Sequence, residues 1–240
     1  VLTTWERFDG ATWVTPTAGQ GTPDNTDGVI TIRSPHTVTV TANVSVDQVT
    51  VDVGGKVTVN NVTLTIANGT GTDFTVNGTL EATGGSGALT TTGSLAFNAN
   101  SSYIHNRNGG NIPTASWNAS STLNVTGVTN TVPTVGTFAQ SFGNVTWNST
   151  GQTGDFSLVG NLTVVNGNLT ITSTGSGSVR LSNSGVTDAI DIGGNFSQTG
   201  GEFYVAGTGG SNTWTVNIDG NFSVTGGTFD LNGNSGTTTV

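Results

Sequence analysis

Tyr103, His105 and Arg107 stand at alternate positions of one short run, and Trp117 follows within the same segment. A phenol, an imidazole, a guanidinium and an indole can between them move a proton, hold an anion and stack against a flat ligand. The chain has no Cys, and its other histidine, His36, lies far upstream. The spacing therefore contains neither a metal-ligand set nor a nucleophile paired with a base. What remains is a binding set for a glycan, made of Tyr103, His105, Arg107 and Trp117, with no catalytic and no metal-ligating residue assigned. The preferred reading of the same run is a loop or corner whose polar groups satisfy the backbone, with the glycan set as the alternative.

The closest carboxylate pair is Asp188 and Asp191. Three residues apart on a strand, the two side chains point to opposite faces, so they do not form an acid and base facing one bond. Asp219 and Asp230 stand alone. Gly-Gly recurs through the chain, but none of these pairs opens the G-G-x-G-x-D phrase of calcium-binding β-rolls. No cofactor is expected beyond an isolated calcium ion at the loop Pro23-Asp24-Asn25-Thr26-Asp27, where oxygen ligands are available but few are acidic.

The elements that would position these residues are short strands. Val29-Ile30-Thr31-Ile32, Thr37-Val38-Thr39-Val40, Val49-Thr50-Val51 and Thr63-Leu64-Thr65-Ile66 each place an apolar residue at every second position. Period two over such runs means strands with one buried face. Turn residues separate them, among them Gly54-Gly55 and Asn60-Asn61. Further on a phrase returns: Gly160-Asn161-Leu162-Thr163, Gly194-Asn195-Phe196-Ser197 and Gly220-Asn221-Phe222-Ser223. Repetition with variable spacers predicts a solenoid whose coils stack and whose loops bulge outward, the longest around Ser173 to Asp188. Gly and Asn would turn the corner while Leu or Phe fills the core.

These patterns predict an all-β fold, a right-handed parallel β-helix (β-solenoid) with an N-terminal cap. Residues 1–28 differ from the rest and read as the cap, with Trp5 and Trp13 closing the core. Residues 29–240 read as the helix, continuing or capped beyond 240, because Gly233 to Val240 look like the start of another coil. Neighbouring coils or subunits are thus the partners expected at the C-terminal edge.

Composition narrows the function. The 240 residues carry 5 Lys and Arg against 14 Asp and Glu, a net charge of −9. No basic stripe exists to neutralise phosphates, so a nucleic-acid partner is not expected. No apolar run is long enough to span a bilayer, which argues against membrane insertion through a helix. Charged residues make up only 8% of the chain, and Gly alone fills 37 positions. Such a vocabulary suits strands and turns and is poor in helix formers.

The run Tyr103-Ile104-His105-Asn106, the run Asn108 to Trp117, and Gln140-Ser141-Phe142-Gly143-Asn144-Val145-Thr146-Trp147 resemble β-solenoid segments of large secreted proteins of Bacteroidota. Many of those proteins carry a type IX secretion sorting domain. The resemblance extends through the Gly-Asn phrases to Leu231 and implies an extracellular or cell-surface bacterial protein. It carries over no catalytic residue. The function that follows is a structural or adhesive β-helical module without enzymatic activity. The alternative is a carbohydrate-binding or polysaccharide-degrading β-helix.

Overall fold

A computed structural model describes residues 5–17, 19–85, 87–183, 187–207 and 213–231. Short strands wind into a parallel β-solenoid of about eight turns, as the alternation predicts. A central sheet of nine strands runs the length of the described coils. Its members are Thr37–Val40, Lys56–Asn60, Thr79–Thr83, Ser102–Asn106, Thr122–Val125, Asn144–Asn148, Leu169–Ser173, Phe196–Gln198 and Phe222–Val224. Each is preceded by a strand of an entry face, from Ile30–Ile32 to Thr213–Ile218. Most are followed by a strand of an exit face, from Val44–Val46 to Thr228–Asp230.

Parallel pairing stacks equivalent residues into columns. One core column of the central sheet runs Val38, Val57, Leu80, Tyr103, Leu123, Val145, Leu169, Phe196, Phe222. The neighbouring core column passes through Val59, Ala82, His105, Val125, Trp147, Ile171 and Gln198. Alternation at period two sends these side chains inward and the intervening Thr, Ser and Asn outward. The interior is correspondingly dry: Val51, Ile66, Val76, Leu80 and Leu123 have no exposed surface. Successive coils differ in length, from 19 residues between Val38 and Val57 to 27 between Leu169 and Phe196. The variation falls in the corners, so the columns stay in register.

Register also corrects the repeat. The strand in line with Phe196 and Phe222 begins at Leu169, so the repeating phrase is Gly167-Asn168-Leu169-Thr170, seven residues beyond the copy at Gly160. Asn144 belongs to the same series. Asn144 Oδ1 accepts a hydrogen bond from the Asn168 N–H at 2.8 Å, Asn168 Oδ1 from Asn195 at 2.8 Å, and Asn195 Oδ1 from Asn221 at 2.7 Å. Each of these side chains rests where the glycine of the next coil has no Cβ. A Cβ on Gly194 would lie 2.6 Å from Asn168 Oδ1, and one on Gly220 2.5 Å from Asn195 Oδ1. The Gly-Asn pair is thus a ladder as well as a corner.

The stretch around Ser173 to Asp188 is not one outward loop, because Ser178–Arg180 forms an exit-face strand within it. The expected coil start at Gly233 to Val240 lies outside the described residues. Near the other end, Arg7–Phe8 and Trp13–Val14 pair as a two-stranded antiparallel hairpin. Trp5 packs against the core and lines a cavity of about 250 Å³ with Ile30, Val38, Val40, Leu64 and Phe74. Trp13 does not close the core: 58% of it is exposed, beside Phe8, with the Arg33 guanidinium 6.0 Å from its ring.

Candidate functional site

Ser102–Asn106 is a central strand, not a corner, and this decides where its side chains go. Tyr103 and His105 fall in the two core columns and are fully buried. Their column neighbours are Leu80 and Leu123 for the tyrosine, and Ala82 and Val125 for the histidine. His105 Nε2 lies 2.8 Å from the Gly109 carbonyl, which can only accept, so Nε2 carries the proton. Nδ1 then faces the Tyr103 hydroxyl at 3.4 Å. Burial depresses the imidazole pKa to about 4, with the Arg107 charge adding to the effect and the Gly109 hydrogen bond opposing it. Burial likewise pushes the Tyr103 phenol upward.

Arg107 follows the strand and is half-buried. One of its terminal nitrogens donates to the Gly87 carbonyl at 2.7 Å, and its Nε is buried without a partner. Trp117 extends an aromatic stack: its ring lies on Phe97 at 4.3 Å and meets Phe142 edge-on at 5.1 Å. Its indole N–H donates to Gln140 Oε1 at 3.1 Å. The four residues are therefore neighbours, but only Arg107 and Trp117 reach the surface, and each is already held by the fold. Tyr103 and His105 offer no face to an outside ligand in this conformation.

The remaining candidates are likewise engaged. Asp191 faces outward and accepts from Asn217 at 2.7 Å, while Asp188 stands in register with the buried Trp214, so the pair does point to opposite faces. Asp24 Oδ1 accepts from the Thr26 N–H and hydroxyl, which holds its carboxyl below the usual value. Asp27 accepts from the Asp24 N–H. These bonds tie the calcium candidate loop to itself. Among the described residues no group of three or more His, Asp or Glu side chains gathers.

One set of side chains escaped the sequence reading. The exit face brings Asp155, Arg180, Glu202, Tyr204 and Asp230 onto the outer side of four consecutive coils. Ser157, Arg180, Tyr204 and Asp230 form one outward column there. The Tyr204 hydroxyl donates to Glu202 Oε2 at 3.0 Å, and Ser178 donates to Asp155 at 2.9 Å. Partial burial raises the Tyr204 pKa, helped by the Glu202 hydrogen bond and the charges of Glu202, Asp230 and Asp155. Arg180 Nε is buried without a hydrogen-bond partner. The signal was present as recurring triplets, Asp155-Phe156-Ser157, Ser178-Val179-Arg180, Glu202-Phe203-Tyr204 and Thr228-Phe229-Asp230. Each sets one apolar residue between two outward ones, too short a run for alternation to register.

Comparison with known proteins adds no relative: no family model matches the chain, nor does any curated protein or solved structure. What the described residues define is a β-solenoid that carries an ionisable patch on its exit face.

Proposed function

We propose that this chain is a structural or adhesive β-helical module, without enzymatic activity, of a secreted or cell-surface bacterial protein. The resemblance to Bacteroidota solenoids, with type IX secretion as the route and right-handed winding, belongs to this reading. The observation that carries it is the placement of Tyr103 and His105: the most reactive cluster in the sequence is spent on packing. Further coils or subunits at the C-terminal edge fit the same picture. Phe222 and Val224 are 53% and 39% exposed, although their column neighbours Phe196 and Gln198 are buried.

A second reading, a carbohydrate-binding or polysaccharide-degrading β-helix, draws on the exit-face patch. Carboxylates, a guanidinium and a phenol on one ridge can hydrogen-bond sugar hydroxyls. A glycan array and depolymerisation assays on soluble polysaccharides separate the two. The module reading expects no turnover of any polysaccharide. Saturable cleavage that disappears in a Tyr204→Ala, Arg180→Ala double variant would replace it with the second reading.

A further inference from the structure

The two coils that follow Ser102–Asn106 and Thr122–Val125 lack exit strands, and loops take their place. Residues 107–115 and 126–140 stack on one another there. Gly109 donates to the Thr131 carbonyl, Thr134 to the Gly110 carbonyl, and Asn108 Oδ1 accepts from the N–H groups of Thr129, Asn130 and Thr131. Ile112 is buried beneath them and donates to Thr137 Oγ1 at 3.2 Å. Among the described residues, the core side chain of the central sheet that reaches up into this double layer through a hydrogen bond to its backbone is His105, bonded to Gly109.

We infer that His105 is an acid-sensitive pin that holds the loop pair 107–115 and 126–140 closed over the solenoid core and releases it when the imidazole gains a second proton. The groups around the ring give the second proton no counter-charge. Tyr103 is neutral, Arg107 is a like charge, and the neighbours in the coils before and after are Ala82 and Val125. Glu81, in the preceding coil, lies on the outward side and is committed to Lys56 at 2.6 Å and to Asn106 at 3.0 Å. A buried imidazolium without a carboxylate is costly, and opening the loops to water relieves it.

The sign follows from linkage. The closed state holds a histidine that protonates near pH 4, and an opened state restores the usual value of 6.5. Acid therefore favours the opened state between those two values, by roughly 20-fold at pH 5 relative to pH 7.

The test is hydrogen exchange on the intact protein, corrected for intrinsic rates, together with NMR titration of the His105 ring assigned through a His105→Gln variant. A midpoint below pH 5 is expected. So is faster exchange of 107–115 and 126–140 at pH 5 through an opening that leaves Asn144–Asn148 the better protected segment at every pH. A midpoint at or above 6 overturns the inference, and so do loops that exchange no faster than Asn144–Asn148 at pH 5. His105→Gln keeps a neutral donor for Gly109, and its loops should lose the pH response. If that variant does not fold, assignment through Tyr103→Phe leaves the titration and the wild-type exchange pattern decisive.

Discussion

At Gly194 the missing side chain is the functional part. A methyl group there would meet Asn168 Oδ1 at 2.6 Å and the Gly167 carbonyl carbon at 2.8 Å, and the latter is backbone that cannot step aside. Gly194→Ala should cost about 1–3 kcal/mol, measured by urea unfolding. Gly136→Ala, whose Cβ would meet nothing within 4 Å, should leave stability unchanged or slightly raised. Equal effects at both sites would refute the seating of asparagine on glycine. The same scale explains why the Tyr103 run gives no local sign of its burial. Tyr-x-His-x-Arg has the composition of a binding site, and nothing local marks the first two as core. Only their alignment with Leu80 and Ala82, one coil earlier, does so, and the spacing between those coils is not constant.

Among elements, the asparagine ladder links neighbouring coils through side chain to backbone bonds as well as through the sheet. Asn195→Ala removes the acceptor for the Asn221 N–H, and a single such bond contributes about 1 kcal/mol. The expected signature is local: faster amide exchange at Asn221, with Asn168 unaffected, read by NMR. Unchanged exchange at Asn221 would mean that the ladder adds nothing to the sheet. The strands themselves were legible from alternation, and so was the solenoid from repetition. The phase of the repeat was not. Gly160-Asn161-Leu162-Thr163 and Gly167-Asn168-Leu169-Thr170 carry the same letters, and even the aliphatic residue two places before each glycine agrees. The first, however, closes a turn, with the Asn161 amide donating back to the Leu158 carbonyl at 3.0 Å and positive φ at Val159 and Gly160. Only pairing partners far along the chain separate the two uses.

For the whole molecule, acid stability should decline in two stages. His105, with its pKa depressed to about 4 from 6.5, contributes stability that is present above pH 6.5 and is lost as pH falls toward 4. Asp73 is held below its usual 3.8 by the N–H groups of Ser94 and Gly69. Burial pushes Glu81 upward, but Lys56, Asn106 and Thr58 outweigh it and hold it below 4.5. Both carboxylates contribute above their usual values, and that contribution disappears below about pH 4. A melting temperature measured against pH should therefore fall between 6.5 and 4 and then more steeply. A flat profile from pH 7 to 5 would contradict the first stage.

The uneven coil lengths carry a mechanical consequence. The hydrogen bonds of stacked coils run along the long axis, so tension between the two ends loads the ladders in series, one coil after another. A coil that gives way pays out its 19–27 residues, about 65–95 Å of contour, while the coils behind it keep their register. Stretched in this way, the molecule would lengthen by stages instead of snapping, and each ladder would serve as a fuse for the next.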